Sequence, residues 1–238
     1  MIWFTSDTHF GHANVLYFTD RPYADVAHMN RALINAINER VVPTDELYIL
    51  GDFSFRMTAV EAAALRAKIN CRKVHLVPGN HDKDWTHKDV AGTFIVESPI
   101  VRINIHGQKI VLSHYPLMEW QSMSHGSWHL HGHIHSAGSI YNELNRKQGL
   151  MRYDVGVDAN GLAPVSLDEI RSWFEGVDFY GRARWWEWVN GTGDPDVAQD
   201  CEAVRELMVE ADRDHATAQE SADAARRCAA ALRDLSLS

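Results

Sequence analysis

Residues 47–52 read Leu-Tyr-Ile-Leu-Gly-Asp. Four apolar residues without polar alternation describe a strand buried on both faces, the habit of a parallel sheet, and Gly51-Asp52 ends it. The same design precedes it at residues 2–7, Ile-Trp-Phe-Thr-Ser-Asp, and follows it at residues 73–82, Lys-Val-His-Leu-Val-Pro-Gly-Asn-His-Asp. Between the first two strands, Met29, Leu33, Ile37 and Val41 line one face of a helix over 25–42, stopped by Pro43-Thr44-Asp45. Between the second and third, Thr58 and Glu61 form a capping-box signal for a helix to about Ile69. This β-α-β-α-β order implies a parallel core with right-handed crossovers. Ligands of open α/β sheets bind at the carboxyl ends of the strands, so Asp7, Asp52 and Asn80 are expected together.

The pattern changes downstream. Val101, Ile103 and Ile105, then Ile110 and Leu112, alternate around His106-Gly107 and predict a hairpin ending at Ser113-His114. A strand around 128–131 runs into Gly132-His133-Ile134-His135, residues 153–157 read as the final strand, and Ser166 to Phe174 as a short helix. Beyond a Gly/Pro/Asp break at 191–196, residues 197–235 keep a 3-4 spacing of mostly alanine and read as a long helix. The chain therefore divides into residues 1–180 and a helical extension at 181–238, expected to serve assembly or docking and possible homo-oligomerisation. Arg182 to Trp188 mixes arginine with tryptophan and is read as packing rather than base stacking.

The 238 residues are 45% hydrophobic and 23% charged, which excludes a collagen, a wholly disordered chain and a bare disulfide scaffold. No apolar run approaches the ~20 residues of a membrane helix, so no membrane is expected. The net charge of −9 argues against a stable nucleic-acid partner, though not against a nucleotide substrate. Residues 194–238 carry five basic and eleven acidic residues and so hold most of that charge. Cys71, Cys201 and Cys228 are odd in number and form no CxxC, which suits free thiols in a reducing compartment. With Met1 followed at once by strand residues and no basic leader, the expected location is cytoplasmic. Thirteen of the fourteen histidines lie between His9 and His135.

In chain order the strand ends present Asp7-x-His9, Gly51-Asp52, Gly79-Asn80-His81-Asp82, His114 and Gly132-His133-x-His135. All are oxygen or nitrogen donors without a thiolate, a set suited to Mn, Fe, Zn, Ni or Mg rather than to a structural zinc knot. Taken singly, an Asp at a helix start is an N-cap and a Gly-Asn pair a turn. Those separate readings do not predict the ordered set. The five blocks over residues 1–175 resemble the calcineurin-like metallophosphoesterase superfamily, in the style of its small bacterial and bacteriophage members.

The resemblance implies an α/β fold, a four-layer α/β/β/α sandwich of two mixed sheets, with residues 1–180 as the catalytic domain. It implies two divalent metal ions, manganese first, with Fe, Zn, Ni or Mg as alternatives. One would be held by Asp7, His9, Asp52 and His135, the other by Asp52, Asn80, His114 and His133, with Asp52 bridging and a shared hydroxide as nucleophile. Asn80 is also expected to touch substrate. His81 would bind a phosphoryl oxygen or protonate the leaving oxygen, a task the ordinary pKa of imidazole suits. Asp82 would orient His81 or a neighbouring backbone group. Beyond these, His12, Arg56 and Tyr115 are expected to contact substrate, with Trp120 beside Tyr115 as a second aromatic candidate and packing as the alternative for both, whereas His125, His129 and His131 are read as structural.

Departures from relatives narrow the substrate. Protein phosphatases extend the second block to G-D-x-x-D-R-G, but here Phe55 and Met57 replace the second Asp and the last Gly, and only Arg56 matches. The third block is Gly-Asn-His-Asp, in that superfamily more typical of phosphodiesterases, nucleases and pyrophosphohydrolases. The expected activity is a metal-dependent phosphoric ester hydrolase, a phosphodiesterase acting on small or nucleotide phosphoesters. The alternatives are a phosphomonoesterase, a dinucleoside-polyphosphate hydrolase and, from another class, a scaffold without catalysis.

Overall fold

The computed structural model describes residues 1–179. The helical extension expected at 181–238, with the Arg182–Trp188 segment, lies outside the described residues. The elements are β1 (Ile2–Thr5), α1 (Val15–Phe18), α2 (Val26–Arg40), β2 (Glu46–Ile49), α3 (Ala59–Arg66), β3 (Lys73–Leu76), β4 (Ile95–Val96), β5 (Ile100–Ile105), β6 (Gln108–Ser113), β7 (Trp128–His131), α4 (Ile140–Lys147), β8 (Arg152–Asp154), β9 (Val165–Ser166) and α5 (Leu167–Phe174). They form two sheets, ordered β4-β3-β2-β1-β9 and β5-β6-β7-β8. Both are mixed: β9 runs antiparallel to β1 and β5 antiparallel to β6, while the other pairs are parallel.

The two-sided burial read from 47–50 is what stacks the layers. Leu47 and Ile49 point outward into a core shared with Met29, Leu33 and Ile37 of α2 and Ala62 of α3. Tyr48 and Leu50 point inward with Phe4 and meet Ile110, Leu112, Trp128 and Leu130 of the second sheet. On the far face of that sheet, His129 and Val111 lie beneath Trp120, and α4 packs along β8. The result is the four-layer α/β/β/α sandwich. No helix among the described residues is long and apolar enough to cross a membrane.

Capping follows the sequence signals. Thr58 and Glu61 exchange both capping-box bonds, Ser166 and Glu169 do the same for α5, and the Asp25 side chain caps α2 at His28 N–H. α3 stops three residues earlier than expected. Its last amides tighten to i−3 carbonyls, and the Arg66 guanidinium holds the carbonyls of Ile69 and Cys71. Of the strand read over 153–157, the ladder beside β7 ends at Asp154 and Gly156 bridges to Ser6 instead, while the Asp154 carboxylate accepts Gly156 N–H as the chain enters the 3-10 turn Val157–Asn160. It is not the last strand, because β9 closes the edge beside β1. α4 has no apolar stripe to betray it. Its buried side chains include Asn142 and Asn145, and the Asn142 amide bonds both the N–H and C=O of Asp154.

His129 is fully buried, accepting Leu117 N–H on Nε2 and donating Nδ1–H to Val111 carbonyl. Burial pushes its pKa down to about 3, helped by the charge of Arg152 and opposed by the bond to Val111 carbonyl. The folded state therefore binds one proton fewer than the unfolded chain between pH 6.5 and about 3, and stability falls as pH falls through that window. In EDTA-treated protein, His129→Gln, which can keep both bonds, should flatten the loss by about 1.4 kcal/mol per pH unit. Urea melts at pH 6.5, 5 and 4 read this slope. Parallel curves for the two proteins would show that His129 carries none of it.

Candidate active site

The strand ends do not meet by chance. Beyond β1 and β2 the loops continue side by side: Asp7 N–H bonds Gly51 carbonyl, His9 N–H bonds Asp52 carbonyl, and Phe10 N–H bonds Phe53 carbonyl. Ser6 Oγ donates to Leu50 carbonyl at 2.7 Å. The second sheet is tied in by His133 N–H, which donates to Asp7 Oδ2 at 2.9 Å, and by His114 Nδ1–H, which donates to Leu50 carbonyl at 2.8 Å. Asp7, His9, Asp52, His133 and His135 all have positive φ, half of the ten such non-glycine residues among the described ones. Left-handed backbone is costly for these residue types and gathers where a side chain must be aimed. The glycines of the blocks have a different reason. A Cβ on Gly132 would stand 2.0 Å from Ser6 Oγ and 2.3 Å from Asp7 Oδ2, and one on Gly79 would stand 2.3 Å from Asp52 Oδ1.

Asp52 lies at the middle. Its Oδ1 accepts His81 N–H at 2.9 Å. Its Oδ2 is 3.5 Å from His9 Nε2 and 3.5 Å from His114 Nε2. On one side His9 Nε2 faces His135 Nε2 at 3.1 Å. On the other, His114 Nε2 faces Asn80 Oδ1 at 2.9 Å and His133 Nδ1 at 3.2 Å. His114 Nδ1–H is committed to Leu50 carbonyl, so its Nε2 turns a lone pair toward those neighbours. Donor atoms of Asp7, His9 and His135 lie within 4.8 Å of one another, as do those of Asp7, Asp52 and His114.

The chemistry of this donor set fits divalent ions. Atoms each ~2.1 Å from one ion stand about 3.0–3.4 Å apart, close to the spacing found on both sides of Asp52. Asp7 Oδ1 and His9 Nδ1 are buried without a hydrogen-bond partner among the described residues. Burial and the neighbouring His135 hold the His9 pKa well below the ordinary value, keeping it a neutral ligand. Burial and His114 lower that of His133. For His135 burial opposes charging, but the Asp158 carboxylate and Asp7 outweigh it and raise its pKa.

The remaining residues divide. Asp82 does not bond His81 among its described contacts. Its carboxylate accepts the N–H groups of Asp52, Phe53 and Gly79, so of the two tasks set for it, holding backbone is the one its contacts describe. Burial, then the charge of Asp52, raises its pKa. His12 is buried, with its ring 4.0 Å from that of Phe55 and 5.3 Å from that of His9. Phe55 meets His81 edge-on at 4.8 Å, and the exposed Arg56 guanidinium sits 5.2 Å over the Phe55 ring. Tyr115 is 48% exposed, 4.5 Å from the His133 ring. Trp120, expected beside it, is instead buried, with its indole N–H on Ser127 carbonyl and its ring against His129. Asp158 and Arg21, to which the sequence reading gave no role, stand directly behind His135 and Asp7.

Residues 1–156 match the family described as the calcineurin-like phosphoesterase superfamily domain. The chain belongs to that superfamily. It is thereby a metal-dependent phosphoesterase, a hydrolase. It is 31% identical to an uncharacterized protein of Methanocaldococcus jannaschii over 170 residues, spanning 71% of this chain and 88% of that one. The Gene 66 protein of Mycobacterium phage L5 is 30% identical over 195 residues, spanning 71% of this chain and 91% of that one. A crystal structure of a protein of unknown function from Aquifex aeolicus shares the fold, with a TM-score of 0.57 at 24% identity over 72% of this chain and 98% of that one.

Proposed function

We propose that this superfamily member is a two-metal phosphodiesterase for small, nucleotide-type phosphodiesters. The observation that carries the reading is Asp52 Oδ2, equally 3.5 Å from His9 Nε2 and His114 Nε2, with a separate donor group on either side. Asp7, His9, Asp52 and His135 would hold one divalent ion, and Asp52, Asn80, His114 and His133 the other, manganese being the first choice. When bound, such ions supply charge for the phosphoryl oxygens and a water-derived nucleophile at neutral pH.

The chain's own residues do the rest. Asp82 keeps the Asp52 and Gly79 backbones at a fixed separation, which sets the aim of the Asp52 carboxylate. His81, whose backbone N–H is anchored on Asp52 Oδ1, presents its ring beside that centre, where it donates a proton to the departing oxygen. His12 and Arg56, stacked on either part of Phe55, face one side of the substrate. On the other side, the exposed ring of Tyr115 next to His133 gives a leaving group such as a nucleobase a surface to lie on.

Protein stripped with EDTA and reloaded with Mn²⁺ should take up two ions per chain. It should hydrolyse bis-nitrophenyl phosphate and cyclic nucleotides faster than nitrophenyl phosphate, and lose that activity when stripped again. Faster cleavage of the monoester, or of dinucleoside polyphosphates, would transfer the assignment to those classes. Two ions without turnover of any of them would leave a scaffold.

A further inference from the structure

Behind His135 lies a buried ion pair that neither the family blocks nor the chemistry above uses. Asp158 stands in the 3-10 turn Val157–Asn160, two residues beyond the end of the family match. Its Oδ2 accepts His135 Nδ1–H at 2.7 Å. Arg21 forks onto the same carboxylate, Nε to Oδ1 at 2.8 Å and one terminal nitrogen to Oδ2 at 2.9 Å. That nitrogen also donates to Asp7 carbonyl at 2.7 Å, and the other donates to Thr8 carbonyl at 3.1 Å. The Arg21 side chain is fully buried and that of Asp158 nearly so.

Taking an arginine and a carboxylate out of water is expensive, and replacing such a pair by apolar residues is often neutral for stability. The fork has a use that apolar packing would not serve. A histidine offers a lone pair on Nε2 only when its proton is on Nδ1, and a carboxylate acceptor at Nδ1 selects that form. Arg21 holds the carboxylate in place by a bidentate grip and, through the Asp7 carbonyl, steadies the left-handed backbone that aims Asp7. His135 belongs to the His9 side of Asp52, while Asp7 also reaches the other side, its Oδ2 accepting His133 N–H. Nothing in the fork touches Asn80, His114 or His133.

We infer that Arg21 and Asp158 are positioning residues for one of the two ion sites, the one formed by Asp7, His9 and His135, and leave the other to its own donors. This rests on the two-ion reading above. Asp158→Asn cannot satisfy both partners. With its oxygen on His135 its amide confronts Arg21, and turned round its amide selects the wrong imidazole tautomer.

Calorimetric titration of stripped protein with MnCl₂ tests the inference, with folding followed by circular dichroism. For Asp158→Asn, one of two binding events should weaken by about 10–100-fold and the other stay as in the wild type. Arg21→Lys, which keeps the charge without the fork, should weaken the same event. Two unchanged events, or two events weakened alike, would overturn the inference while leaving the two-ion centre standing. Fewer than two events in the wild type would instead overturn the centre, and the inference with it. If neither variant folds, proton-nitrogen NMR of the wild type loaded with Zn²⁺ decides. A proton on His135 Nδ1 supports the inference, and a proton on Nε2 sinks it.

Discussion

Asp52→Asn should empty both sides of the centre together and lower turnover by about 10³-fold or more, the equivalent of several kcal/mol of lost charge stabilisation. Asparagine keeps the shape and can still accept His81 N–H through its oxygen. What disappears is the negative charge that faces His9 and His114 from equal distances. Asp82 is turned onto backbone and does not replace it. Metal content by elemental analysis after dialysis, with activity on the same sample, reads both effects. A folded variant that keeps two ions and near-normal turnover would overturn the role of Asp52.

His81→Ala should behave differently. The backbone N–H of His81 is bonded to Asp52, and alanine retains it. Both ions should therefore stay while kcat drops by ~10²–10⁴, the range for removing a general acid. The deficit should shrink for nitrophenolate esters, whose leaving group needs less protonation, and stay large for an alkoxide such as a nucleoside. Loss of metal from the variant would instead make the His81 ring a ligand. An equal deficit for both leaving groups would make it a phosphate-binding group rather than an acid.

The donor blocks were legible because each sits at a strand end that hydrophobic patterning reveals. Leu47 to Leu50 have no polar alternation, and Ile2 to Thr5 and Val74 to Val77 are largely apolar runs, so parallel pairing and a shared functional edge followed. α4 and β4 escaped for opposite reasons. The buried side of α4 carries asparagines that bond backbone, and β4 is two exposed residues. For Trp120 the structure chose packing over ligand contact, two readings that an aromatic six residues after a donor histidine leaves alike in sequence.

Residue chemistry and chain order were enough to say which atoms can bind a metal and which edge gathers them, because strand patterning and donor type are local properties. They gave no role to Arg21 and Asp158, which are 137 positions apart. Only the folded chain decides that Asp158 faces an imidazole N–H and a buried guanidinium, and hence that its pKa falls to about 2 although burial opposes ionisation. The same carboxyl type at Asp154, buried and facing the charge of Asp7, is pushed up to about 7. Ionisation depends on which charges lie within a few ångströms and how much water is excluded, and neither quantity is defined until distant segments have packed.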